Sequence, residues 1–131
     1  MEFVADLHLH SRHSRATAKT CDLHHFALWA RKKGVSVLGT GDVTHPGWRE
    51  ELRADLVPAE PGLFRLRDEA DRAVLDQVHP SCHAPVRFAL TVEISTIYKA
   101  GDRTRKIHHL VLLPDFVAVD KLVEQLTRIG N

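Results

Sequence analysis

Cysteine is almost absent: Cys21 and Cys82 are the only two in 131 residues. They lie far apart and form no CxxC pair, which excludes a disulfide framework and a thiolate-built zinc ribbon. The chain is therefore read as cytoplasmic and reduced. Nothing resembles a signal peptide, and no apolar run approaches the ~20 residues of a membrane span, so no membrane partner is expected. Charge of one sign is also lacking, because the formal net charge is only +1. No global field draws in a polyanion, and any such binding must be local. A chain of this length supports one domain with a buried core, but not the ~200 residues or more of a typical closed (β/α) barrel.

Histidine, by contrast, is abundant, with ten in the chain. Two of them close a short apolar run in Asp6-Leu7-His8-Leu9-His10-Ser11. A strand alternates its side chains with period two, so Asp6, His8 and His10 would share one face, where two imidazoles could close on a metal. The alternative is a pair of ordinary strand histidines on a solvated face. The cluster His79-Pro80-Ser81-Cys82-His83 also groups potential zinc ligands, but its composition reads as a surface loop.

The apolar pattern predicts a strand over residues 3–7, a polar basic loop over 11–20 and an amphipathic helix over 22–33 stopped by Gly34. A strand over 35–40 follows, then a turn-rich loop over 41–47, together suggesting a right-handed parallel crossover. Helical spacing returns over 48–56 and breaks at 58–62, and residues 64–78 read as a short strand or turn and a helix. A buried strand is expected over 86–94, a basic turn over 99–106 and a strand over 107–113. A final helix after Pro114-Asp115 carries Phe116, Val119, Leu122, Val123, Leu126 and Ile129 at helical spacing.

In parallel α/β sheets, function gathers beyond the carboxyl ends of strands. His8 and His10 end the first strand, Asp42 and His45 follow the second, Glu93 ends the next, and His108 and His109 lie on the last. Imidazoles with carboxylates are the ligand mixture for zinc, manganese or iron. Each also has a plainer reading: Asp42 as a turn cap, His45 as a solvated loop residue, Glu93 as a charged terminus. His108 and His109 face opposite ways in a strand, so at least one stands outside the site. His24 and His25 are read as surface or packing residues.

These residues resemble the PHP family, named for its polymerase and histidinol phosphatase members. The resemblance rests on Asp6-Leu7-His8-Leu9-His10-Ser11, Gly39-Thr40-Gly41-Asp42, Glu93 after an apolar strand, and His109-Leu110-Val111-Leu112-Leu113. Within it the chain is most similar to the endonuclease Q group, through Ser11-Arg12-His13-Ser14-Arg15-Ala16-Thr17, the stretch from Gly39 to Trp48, Thr91-Val92-Glu93-Ile94-Ser95-Thr96-Ile97-Tyr98-Lys99 and Arg105-Lys106-Ile107-His108-His109-Leu110. These stretches cover almost the whole chain.

The resemblance implies an α/β fold that is part of a distorted (β/α)7 TIM-like barrel, with metals at its mouth. Its implied ligands are His8, His10, Asp42, His45, Glu93 and His109, with Asp42 and Glu93 also catalytic, and its cofactors are zinc and/or manganese or magnesium. It implies hydrolysis of DNA on the 5′ side of deaminated bases or at abasic sites. Many PHP phosphatases carry an acidic ligand where this chain has Arg15, and a Thr-Asp-His turn where it has Gly41-Asp42-Val43 with the histidine displaced to His45. Arginine in place of a carboxylate removes a ligand and adds a bidentate phosphate donor, which favours a phosphodiester. Arg12, Ser14, Arg15 and Lys19 are the expected phosphate contacts, and Trp48 and Tyr98 are candidate stacking residues, with core packing the alternative for Trp48. The later PHP ligands and the cysteine-rich part of endonuclease Q fall outside these 131 residues. The chain is therefore expected to be either a portion of a longer enzyme or a truncated relative, weakly active or inactive alone, of unknown oligomeric state. The other readings are a small-molecule phosphatase and a metal- or DNA-binding module without catalysis.

Overall fold

The computed structural model describes residues 1–130. Strand β1 (Ala5–Asp6) leads through the polar loop into helix α1 (Leu23–Lys33), strand β2 (Val37–Gly39) and helix α2 (Pro46–Asp55). Strands β3 (Leu56–Pro58) and β4 (Phe64–Leu66) precede helix α3 (Asp68–Leu75) and a 3-10 turn at Pro80–Cys82. Two long strands, β5 (Arg87–Ala100) and β6 (Arg103–Leu113), and helix α4 (Phe116–Arg128) follow. No helix among the described residues is long and apolar enough to cross a membrane.

The helices begin where the sequence supplies a cap. Asp22 accepts from the His25 N–H at 2.9 Å to open α1, and Asp115 accepts from the Ala118 N–H at 2.8 Å to open α4. His45 does the same for α2 through Nδ1, with Pro46 fixing the first turn. Buried side chains from all four helices, including Ala27, Trp48, Leu52, Val74 and Val119, join Phe88 and Leu90 of β5 in one apolar core.

The sheet runs β1-β2-β5-β4-β3, with β6 paired to β5. β1, β2 and β5 are parallel, whereas β3, β4 and β6 run antiparallel to their partners. The α/β class is as expected from the sequence. The sheet is mixed and, among the described residues, not closed; its parallel part is β1-β2-β5, and the expected TIM-like barrel is not seen in it. Two expected boundaries shift. Residues 56–58 pair with β4 instead of ending the preceding helix. The expected basic turn over 99–106 is mostly strand, because the reversal tightens to the two residues Gly101 and Asp102 between the paired Ala100 and Arg103. Gly101, at φ 60°, fits the first central position of a II′ turn, which glycine favours.

One charged side chain is built into this frame. Arg31 of α1 is 6% exposed. It donates to Asp71 of α3 at 2.5 Å and to the Ala84 carbonyl at 2.7 Å, tying α1 to the segment leading into β5. Arg31→Ala removes a buried guanidinium with its two hydrogen bonds and its packing, while the one-third exposed Asp71 is left to water, and should lower stability by roughly 1–2 kcal/mol in denaturant melts. A loss within ~0.5 kcal/mol would show the pair to be worth no more than a surface bridge.

Candidate metal centre

Beyond β2 the chain passes so close to the segment after β1 that side chains are excluded. A Cβ on Gly39 would lie 2.2 Å from the Leu7 carbonyl oxygen, and one on Gly41 would lie 2.0 Å from that of Leu9. Gly41 at φ 63° and Asp42 at φ 46° turn the chain through the left-handed region. Asp is among the few residues that tolerate this. Several hydrogen bonds hold the turn. Trp48 Nε1–H donates to the Gly41 carbonyl at 2.9 Å, and the Gly41 N–H donates to Thr91 Oγ1 at 2.8 Å. Asp42 Oδ2 accepts from the backbone N–H of Ser11 at 2.7 Å and from its hydroxyl at 2.8 Å. The effect is to fix His8 and His10 against the end of β2 and the middle of β5.

Glu93 of β5 is the centre on which the site converges. His8 Nε2 bonds its Oε2, and His10 Nε2 lies 3.3 Å from the same oxygen. His108 Nδ1 bonds the other oxygen, Oε1, and lies 3.2 Å from Ser95 Oγ. His10 Nδ1 is 3.1 Å from Asp42 Oδ1, so one imidazole spans two carboxylates. The donor atoms of His8, His10 and Glu93 all lie within 4.8 Å of one another. The hydrogen bonds from His108 and His8 hold the Glu93 carboxyl far below its usual range, at about 2. It therefore stays a carboxylate throughout the neutral range.

Three ring nitrogens aimed at one carboxylate each need a proton of their own, or else a cation among them. A divalent ion would satisfy neutral rings and carboxylate together, and this nitrogen and oxygen mixture suits zinc or manganese. The donor set thus fits a metal.

The expected site residues divide. Glu93, His8 and His10 meet directly, and Asp42 reaches the cluster through His10. His45 does not join the converging donors: its Nδ1 accepts from the Trp48 N–H at 3.3 Å, and its ring stacks on His13 with centroids 4.5 Å apart. His109 lies on the opposite face of β6 from Glu93. The pairing of Ser95 with His108 puts the latter on the Glu93 side, and His109 bonds Thr96 Oγ1 at 3.0 Å instead. Ser14 and Arg15 line an open cavity of about 360 Å³ together with Asp42, His45 and Glu93. Arg12 pairs with Glu51 of α2 at 2.8 Å, and Lys19 is exposed. Asp6 stands outside the converging donors and lines a separate cavity with Cys21 and Trp29. His79 accepts from the Ser81 N–H within its own turn. Trp48 is fully buried.

Residue-by-residue reading left His108 and His109 as alternatives, since only the hairpin register distinguishes them, and missed two further members. His13 and Glu51 meet at 2.9 Å across the loop and α2. Burial pushes the Glu51 carboxyl up, but its bonds to Arg12 and His13 prevail and leave it below its ordinary value. No local signal in the sequence brings residues 12, 13 and 51 together.

No protein-family model matches the chain. An uncharacterized protein of Methanocaldococcus jannaschii is 31% identical over 94% of this chain, which spans 11% of that relative. A crystal structure of endonuclease Q with a 27-mer duplex substrate carrying an abasic lesion at its active site superposes with a TM-score of 0.66 and 29% identity, over 93% of this chain and 25% of that one. A lesion-specific endonuclease from Pyrococcus furiosus superposes with a TM-score of 0.63 and 26% identity, over 94% of this chain and 25% of its own. The chain is similar in structure to a quarter of these endonucleases.

His108→Ala should weaken zinc or manganese binding roughly 10- to 100-fold by calorimetric titration, the usual effect of losing a group that orients a ligand. His109→Ala should leave it unchanged, and equal losses would contradict the face assignment. Gly41→Ala should cost more than about 2 kcal/mol and also weaken the metal, because a side chain there displaces the His10 segment.

Proposed function

We propose that this chain is the N-terminal portion of a PHP-type phosphoesterase domain and part of a metal-dependent DNA endonuclease of the endonuclease Q kind. Its reaction is hydrolysis of the phosphodiester 5′ of a deaminated base or an abasic site, in DNA repair. The observation that carries this reading is the convergence of His8, His10 and His108 on Glu93. The likeness to endonuclease Q bound to a lesion-bearing duplex supports it. In this reading the remaining ligands come from later strands of a (β/α)7 barrel.

His8, His10 and Glu93 would hold the ion, with Asp42 and His108 as the neighbours that orient them. A divalent ion there, whether zinc, manganese or magnesium, supplies Lewis acidity to a phosphate oxygen and to the attacking water. Asp42 accepts the Nδ1 proton of His10 and so presents Nε2 as the lone-pair nitrogen. The two Ser11 bonds keep that carboxylate from swinging away. Arg15 offers a planar, permanently charged fork to the phosphate beside the cluster. Arg12 is held in place by Glu51, and Lys19 adds charge from the same loop. A damaged or missing base is extruded at low cost, which gives selectivity before any base contact is made.

The test uses an end-labelled duplex with one deoxyinosine or one abasic site, with and without manganese or magnesium. Weak or no incision 5′ of the lesion is expected from this chain and strong incision from a form extended through the later strands. Glu93→Gln should abolish both. Hydrolysis of a chromogenic phosphate monoester with no DNA incision would instead indicate a phosphatase. Metal uptake without turnover on either substrate would indicate a binding module.

A further inference from the structure

From residue 95 to residue 109 every side chain is exposed, on both faces of the β5–β6 hairpin. A two-stranded ribbon is marginal in water by itself. The exposed arm carries Lys99, Arg103, Arg105 and Lys106 against the single acid Asp102, in a chain whose net charge is only +1. Among the described residues none of these four cations forms an ion pair, whereas Arg12, Arg31, Arg53, Arg65, Arg67, Arg87 and Arg128 all do. The four cations on the arm, like Arg15 beside the cluster, are free to meet an external anion.

The arm's position is also informative. Cross-strand partners share a face, so Ser95 with His108, Ile97 with Lys106 and Lys99 with Thr104 lie on the same side as Glu93. Lys99 and Lys106 thus continue the metal-facing surface outward. Tyr98 with Arg105 and Ala100 with Arg103 occupy the reverse side. From Glu93 to Ala100 the ribbon extends roughly 23 Å at ~3.3 Å per residue, about two thirds of the ~34 Å turn of B-form DNA. The ~12 Å major groove admits a ribbon of two strands.

We propose that the β5–β6 arm is a duplex-DNA binding element, in which Lys99 and Lys106 hold phosphates on the side of the metal cluster and Arg103 and Arg105 hold phosphates on the ribbon's reverse side. This rests on the nuclease reading for its substrate, but the binding is separable from the chemistry. An arm of this kind positions the duplex without reading its sequence, since phosphate contacts carry no base information. It adds to the local charge that Arg15 and Lys19 bring beside the cluster.

The experiment is fluorescence anisotropy of a labelled duplex with the full chain across a salt series. Replacing all four cations by alanine (Lys99→Ala, Arg103→Ala, Arg105→Ala, Lys106→Ala) should weaken binding by about tenfold or more at low salt. The salt slope should fall by about 0.9 for each phosphate that is no longer neutralised, up to ~3.6 for all four. Manganese binding by the same variant should be unchanged, showing that the fold and cluster persist. Two milder variants, Lys99→Gln with Lys106→Gln and Arg103→Gln with Arg105→Gln, should each give part of the loss. Unchanged affinity and slope in these variants would overturn the arm, as would failure of the parent chain to bind duplex. Duplex held through the arm by a chain that binds no metal would support the arm and overturn the nuclease reading.

Discussion

The candidate site depends on one close approach of backbone to backbone. The carbonyls of Leu7 and Leu9 lie where the Cβ atoms of residues 39 and 41 would be, and only glycine leaves that space empty. This passage brings a segment with almost no regular structure, two residues past the short strand β1, into fixed relation with the central strands. Without it His8 and His10 would sit on a loose edge, because β1 makes only two register pairs. Trp48 under Gly41, Thr91 beside it and Ser11 clamped to Asp42 all act on this passage. Metal ligation needs donors held within tenths of an ångström, and here a buried core residue transmits that rigidity to the exposed His8 and the half-buried His10.

The β5–β6 hairpin joins two roles through one register. The pairing that sets His108 beside Glu93 also determines that Lys99 and Lys106 face the cluster's side. Base and arm are the same pair of strands, with β5 buried between β2 and β4 at one end and the ribbon bare at the other. A substrate phosphate held along the arm would be delivered to a centre built from the same ladder. The arm concentrates positive charge in a nearly neutral chain, an arrangement that would suit local capture of a polyanion and not long-range steering.

Much of this is legible in the sequence, and the exceptions have physical causes. Asp22, Gly34, His45-Pro46 and Asp115 mark helix ends with groups whose chemistry is local, so the helices are readable. His8, His10 and Glu93 are readable because they follow apolar strand-like runs. The strand at Leu56–Pro58 is not, since Leu52 and Leu56 keep helical spacing and the pairing that overrides it comes from distant Phe64–Leu66. The arm reads as a turn because a ribbon bare on both faces shows no apolar alternation. Yet the face of His108 follows from Gly101-Asp102. A two-residue turn pairs Ala100 with Arg103, and counting back pairs Ser95 with His108. Glu51 has no such local signal, since its meeting with Arg12 and His13 exists only once α2 packs against the loop.

Anomalous diffraction from crystals grown with zinc or manganese tests the metal centre most directly. A peak bonded to His8, His10 and Glu93, with His108 beside it and His109 turned away, is the required result. A chain that binds the ion elsewhere, at His79, Cys82 and His83 for example, or that shows no peak between His8 and Glu93, would contradict it.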